Sequence, residues 1–333
     1  MCYVVLLNRE VALVRPEFRE CSDMESKIKH FISCIAWPGL MVLCMTMMAY
    51  GFTRGRPVLY FNVAYVILIV TLFFLERWMP HEREWTKSDG QTLANILHTL
   101  SSKGTTQLLL LFGGIIGLMG LMEDPGRGIW PRDWPLAAQV VLGVVAAEFP
   151  LYWAHRLGHE WPFLWRFHAV HHSVTKLWIV NTGRFHFVDS LYKIVPSVGL
   201  LLALGAPLAV VIWLSSFTGF IGMLTHCNVE MRLGPLSWIF NTPELHRWHH
   251  SKDLREANRN YCENLMVWDL LFGTYFRESH RRPPADIGIA EFMPPRFVHQ
   301  IMWPFLTQKG KWRIEEGCRA VAYNEPAITR SAS

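Results

Sequence analysis

Apolar residues along this chain of 333 residues gather into long runs separated by short polar stretches. A helix needs about 20 apolar residues to cross a bilayer. Residues 31–50, 58–75, 105–122 and 136–154 approach that length. Pro38 sits inside the first run, and Gly113, Gly114, Gly117 and Gly120 give the third a surface for close helix packing. The fourth starts after Pro135 and ends where the histidines begin. A longer run, 194–225, is broken at Leu204-Gly205-Ala206-Pro207. That break predicts two short helices, a hairpin that enters the membrane and returns to the same side. The pattern predicts an all-α integral membrane protein: about four transmembrane helices plus a re-entrant or short helical hairpin, capped by a helical domain.

Composition strengthens the membrane reading. Hydrophobic residues make up 51% and charged residues only 18%, against about 25% charged in soluble domains. Mean hydropathy is +0.17. Fifteen Trp and twenty Phe suit the water–lipid boundary, where amphipathic rings are favoured. The net charge of +5 fits attraction to anionic headgroups, and no basic run is long enough to read as a nucleic-acid surface. Seven scattered cysteines (Cys2, Cys21, Cys34, Cys44, Cys227, Cys262 and Cys318) form no CxxC pair, which argues against a thiolate zinc site and for reduced thiols. The start has no signal peptide of the usual form, and Met24 is an alternative initiator, so residues 1–23 are set aside.

Lys and Arg in short loops give an orientation. With the N-terminus in the cytosol, residues 1–30 and 76–104 carry nine basic residues on the inside, against four (Arg54, Arg56, Arg127 and Arg132) in the outside loops. Everything after 155 then lies on the cytosolic side. Four parts follow: a cytosolic tail (1–30), transmembrane helices (31–154), a His-rich domain that includes the 194–225 hairpin (155–276), and a basic, aromatic C-terminal segment on the membrane surface (277–333).

The candidate chemistry lies in the third part. Ten of the fifteen histidines fall between 155 and 250, clustered at helical spacing. His155 and His159 are four apart. His168 is followed by His171 and His172, and His246 by His249 and His250. Residues three and four apart share a helix face, so each cluster presents its rings together. His226, at the end of an apolar run, is a ninth candidate. Eight or nine imidazoles exceed what one ion needs and suffice for two; imidazole suits Fe, Zn and Cu. Zinc cannot change redox state, so an oxidase needs iron. A lone histidine is normally structural or exposed, which covers His30, His81, His98, His280 and His299. Four residues are candidates to ligate or to hold a ligating ring from behind: His186, Glu148, Asn228 and Asp189.

The chain resembles the fatty acid hydroxylase / sterol desaturase superfamily. The resemblance covers about 148–276 and rests on HRLGH at 155–159, HAVHHS at 168–173, TGRFH at 182–186, THCN at 225–228, TPELHRWHHS at 242–251 and NYCENLMVWDLLFGTYF at 260–276. It implies a helical membrane domain with a cytosolic cap, and two non-haem Fe ions, replaceable by Zn on purification. The ligands it implies are His155, His159, His168, His171, His172, His246, His249 and His250, with His226 a ninth. It also implies O2-dependent hydroxylation or desaturation of a lipid. The sequence departs from the family pattern at Phe187, Asp189 and Cys262, near the site.

With no haem domain, dinucleotide fingerprint or iron–sulfur Cys set in the sequence, electrons must come from a separate donor of ferredoxin or haem-protein type with a reductase. The membrane is the inner membrane if the source is bacterial and the endoplasmic reticulum if eukaryotic. Two other readings stay open on the residues alone: a haem-binding membrane protein, and a zinc-stabilised one without oxygenase activity.

Overall fold

The structure, a computed structural model, describes residues 16–124 and 128–324. The initiator question at residues 1–23 falls largely outside them, as does the end of the C-terminal segment. Thirteen α-helices are described: α1 (Pro16–Thr53), α2 (Pro57–Trp78), α3 (Thr92–Ile115), α4 (Leu118–Glu123), α5 (Leu136–Glu160), α6 (Pro162–His172), α7 (Phe187–Leu204), α8 (Leu208–His226), α9 (Pro243–His249), α10 (Leu254–Ala257), α11 (Val267–Phe272), α12 (Phe297–Met302) and α13 (Gln308–Asn324). Among the described residues the only β pairings are three isolated bridges.

Prolines and glycines set the boundaries. Pro57 opens α2 at its first turn, and Pro162 both ends α5 and opens α6. Gly205, at φ 82°, takes the left-handed conformation that closes α7, and Pro207 caps α8.

Among the described residues five helices are long and apolar enough to cross a membrane: Met24–Thr53, Pro57–Trp78, Leu136–Glu160, Phe187–Leu204 and Leu208–His226. The outer faces of α1 and α2 expose Val42, Val58, Val66, Val70 and Phe74. An apolar belt of that size belongs against lipid. The inner faces of α1 and α2 pack on α8 through Met41, Met48, Leu68, Leu72, Phe220 and Leu224. A second core joins α5, α7 and α8 through Val144, Ala147, Leu201, Val210 and Leu214.

Two expectations change. The 194–225 stretch folds as a hairpin broken where expected, but its two helices are longer than expected. α7 and α8 have 18 and 19 residues, about 27–28 Å each, and their turn reaches the far end of α5. There Ile129 N donates to Leu204 O, and Arg132 Nη2 donates to both Met122 O and Gly205 O. The third apolar run also differs: its helix starts earlier, at Thr92, and breaks at Gly117, where φ is 77°. It too joins both ends of the bundle, because Asn95 contacts Arg184 near the histidines while Met122 meets Arg132 at the far end. The polar first half of α3, with Asn95, His98, Ser101, Ser102 and Lys103, masks it as a span in an apolarity count.

Helix contact is closest at Gly143 on α5, where an added Cβ would stand 2.4 Å from Val210 Cγ1 on α8. Val is β-branched and stiff, so the helices must part. Gly143→Ala is expected to destabilise by about 1–3 kcal/mol, read as a lower thermal midpoint in detergent. An unchanged midpoint would show that this contact yields freely.

Candidate metal centre

Four chain segments deliver rings to one end of the bundle. The last turns of α5 bring His155 and His159, α6 brings His168, His171 and His172, the end of α8 brings His226, and α9 with the residue after it brings His246, His249 and His250. Pro162 turns the chain so that α6 folds back on α5. α9 starts at Thr242, whose hydroxyl accepts Leu245 N, with Pro243 at its first position.

The nine rings sort into two groups. His155, His159, His168, His172 and His249 form one; His171, His226, His246 and His250 form the other. Within each group one nitrogen per ring lies within 4.8 Å of every other. All are buried except His159, which is partly so. The structure therefore brings together the eight histidines picked out by spacing with His226, the ninth candidate, and divides them five and four.

The outward nitrogens show which way the rings are held. His155 Nδ1 is 2.6 Å from Tyr261 O, His249 Nδ1 2.7 Å from Arg259 O, and His171 Nδ1 3.2 Å from Arg184 O. A carbonyl oxygen only accepts, so Nδ1 of each neutral ring carries the proton and Nε2 an unshared pair. His168 Nδ1 faces Asp189 Oδ1 at 3.0 Å, His159 Nδ1 faces Asn258 Oδ1 at 3.2 Å, and His226 Nδ1 faces Asn181 Oδ1 at 3.4 Å.

The inward nitrogens then face one another. Nε2 of His155 and His249 are 2.9 Å apart, those of His159 and His172 3.1 Å, and those of His226 and His246 2.8 Å. His250 Nε2 stands 3.1 Å from His246 and 3.2 Å from His171. Between His155 and His249 no proton is available to bridge two lone pairs. Burial pushes His249 down to about 3, and it lowers His168, His171, His172, His246 and His250 as well. The rings are neutral at pH 7. Converging lone pairs, together with a buried His168 Nε2 that has no hydrogen-bond partner, fit cations at the two centres. An all-nitrogen donor set without thiolate suits iron.

The four supporting candidates separate. Asp189 touches a clustered ring and orients it, as metal-binding rings commonly require. His186 does not join either group: its Nδ1 accepts Val188 N at 3.1 Å as the N-cap of α7, and its Nε2 donates to Ile301 O at 3.1 Å. Glu148 accepts backbone N–H groups of Glu263, Asn264 and Leu265 and meets no ring. Asn228 binds the backbone of Glu82 in both directions. Of the isolated histidines, His30 and His280 are exposed, His81 bonds Glu230, and His98 is buried between Phe185 O and Gln300.

Sequence reasoning missed the residues that place the outward acceptors. Arg184 is fully buried and ties Val170 O, Ser173 Oγ, Asn95 Oδ1 and Gln91 Oε1 together, fixing the carbonyl that holds His171. Asp269 accepts Tyr261 N at 2.9 Å and Cys262 N at 2.7 Å, fixing the carbonyl that holds His155. The only signal for Arg184 was an arginine two residues before His186.

Comparison with known proteins agrees with this geometry. A family profile described as Fatty acid hydroxylase matches residues 140–274, and these contain all nine rings. Ornithine lipid hydroxylase OlsE of Rhizobium tropici is 46% identical over 294 residues, 87% of this chain and 88% of the relative. The chain belongs to the fatty acid hydroxylase family. Alkylglycerol monooxygenase of Danio rerio is 30% identical over 248 residues, 69% of this chain and 52% of that one. Fatty acid hydroxylase vlmA of Lecanicillium sp is 30% identical over 154 residues, 42% of each chain. No solved structure matches the chain. As a fatty acid hydroxylase the protein is a membrane-associated, metal-binding, oxygen-dependent lipid hydroxylase.

Proposed function

We propose that this fatty acid hydroxylase uses two iron ions, one in each histidine group, to insert one oxygen atom of O2 into a C–H bond of a lipid with an amino-acid headgroup. The observation that carries the reading is the convergence of nine neutral imidazoles on two centres, with the N–H groups that can be assigned turned outward. The net reaction is R–H + O2 + two electrons + two protons giving R–OH + H2O. Iron bound at the two groups would supply the reversible oxidation that this four-electron reduction of O2 requires. The protein holds the rings neutral, buries them away from water and presents the substrate. Asp189, Asn258 and the carbonyls of Tyr261, Arg184 and Arg259 hold the ring planes, so that little reorganisation is needed when ions bind.

Hydroxylation rather than desaturation, and an ornithine lipid as the first substrate to test, follow the relative that aligns over most of both chains. The two electrons come from a separate ferredoxin or haem protein with its reductase. The His-rich part, 155–276, would face the cytosol, under the inner membrane of a bacterium or the endoplasmic reticulum of a eukaryote, with zinc displacing iron during purification. Residues 277–324 would lie along the membrane surface, where Phe305 and Trp312 are exposed.

Two measurements test this reading. Lipid mass spectrometry of cells with and without the protein is expected to show a species heavier by one oxygen. A species lighter by two hydrogens would reassign it as a desaturase, and no change in any lipid would remove the reading. For topology, cysteines introduced at the exposed Thr175 and Lys252 are expected to react from the same side of the membrane as the N-terminus. Labelling of the two sites from opposite sides would break the single-site arrangement.

A further inference from the structure

α7 carries two ionisable residues into its apolar length. Asp189 and Lys193 stand one helical turn apart with Asp189 Oδ2 3.7 Å from Lys193 Nζ. Lys193 Nζ also lies 2.9 Å from Glu263 Oε1, in the loop between α10 and α11. Lys193 is 4% exposed and lies about 9 Å along the axis from the start of α7. Placing charges there is costly, and a buried ion pair is often no more stable than an apolar pair of the same volume. Ionisable groups in membrane segments therefore point first to function.

The three charges have different commitments. Asp189 is bound to His168 through Oδ1 and also accepts the Tyr192 hydroxyl, so it serves the ring. Lys193 and Glu263 remain as a pair with zero net charge. Its Lys193 end stands 5.0 Å from the centroid of Phe185, which stacks on His171 at 4.3 Å and 7°. The pair thus borders both histidine groups, because Asp189 contacts one and Phe185 the other. Its Glu263 end is open, with 23% of the side chain exposed.

We propose that the Lys193–Glu263 pair is a headgroup subsite for a zwitterionic amino-acid lipid, whose ammonium takes Glu263 and whose carboxylate takes Lys193. The exchange breaks one ion pair and forms two, and because the headgroup is itself neutral overall it leaves the net charge around Lys193 unchanged. An uncharged headgroup offers neither member a replacement partner. A headgroup with a single charge leaves one buried charge unpaired, which the site rejects. The inference rests on the lipid hydroxylase reading and narrows it to lipids carrying both charges.

The test is native mass spectrometry of the zinc-loaded protein with two competing lipids of identical acyl chains, one with an ornithine headgroup and one a diacylglycerol. The wild type is expected to retain the ornithine lipid at least about tenfold over its neutral competitor. Lys193→Met or Glu263→Gln alone strands a charge and can unfold the protein, so the deciding variant is the double Lys193→Met/Glu263→Gln, which removes the pair together and leaves Asp189 on His168 and the Tyr192 hydroxyl. It is expected to bind the two lipids within about twofold of each other, with zinc content unchanged. A double variant that keeps the preference, or a wild type that shows none, overturns the subsite. An uncharged lipid gaining one oxygen in cells would also overturn it while leaving the hydroxylase reading standing.

Discussion

His249→Ala is expected to abolish turnover and strip metal from the five-ring group, whereas His280→Ala leaves both unchanged. His249 is fully buried, its Nδ1 is held by Arg259 O, and its Nε2 points at His155. His155, His159 and His168 are held from behind by Tyr261 O, Asn258 and Asp189, so none of them is free to replace the lost nitrogen. The loss should exceed the roughly 10–100-fold drop typical when a group behind a ligand is removed. That smaller drop is the expectation for Asp189→Asn, which keeps an acceptor oxygen but removes the charge facing His168. His186→Ala should lose a helix cap and the bond to Ile301 O, about 1–3 kcal/mol of stability together, with metal retained. Metal analysis beside turnover separates the three classes. If His249→Ala kept its metal and activity while His280→Ala lost them, the five-and-four arrangement would not be the metal centre.

The part of the site legible in the sequence was the part that obeys helical spacing. His155 with His159, His168 with His171 and His172, and His246 with His249 and His250 announce a shared face, and the fold needed only to bring those faces together. What holds the rings was named in advance only at Asp189, because half of it is main chain. The carbonyls of Tyr261, Arg184 and Arg259 carry no residue signature. Glu148 illustrates the opposite failure. Seven residues before His155, it does share that helix face, but seven residues are about 10 Å of axial rise, too far for a hydrogen bond. It serves the loop at 263–265 instead. His186 lies outside both groups, with both its nitrogens bonded to backbone. Among the long helices, the length of α3 was half hidden by polar residues, among them Asn95 and His98 that meet Arg184 and Phe185, and α7 and α8 are each long enough to cross a membrane because the break at 204–207 is a turn at the far end of the bundle.

Removing the metal is expected to produce a less stable and more acid-sensitive protein. Ions that bind only the folded state stabilise it by mass action, about 2.7 kcal/mol when present at a hundred times their dissociation constant. Stripping them leaves unshared pairs of His155 and His249 in contact at 2.9 Å. Acid then acts on the same rings. Burial holds His249 down to about 3, against about 6.5 in an unfolded chain. The folded state therefore refuses a proton that the unfolded state accepts. The stability from this ring is complete above about pH 6.5 and is lost as pH falls towards 3, at about 1.4 kcal/mol per pH unit. His168, His171, His172, His246 and His250 are lowered by burial in the same direction, so the slope of the stripped protein should reflect several protons. In the loaded protein the ions compete with those protons, and the fall should begin at lower pH. Thermal melts in detergent at pH 7.5, 6.5 and 5.5, with and without a chelator, measure both effects. Superimposable curves at all three pH values would mean that these rings neither hold metal nor pay for their burial.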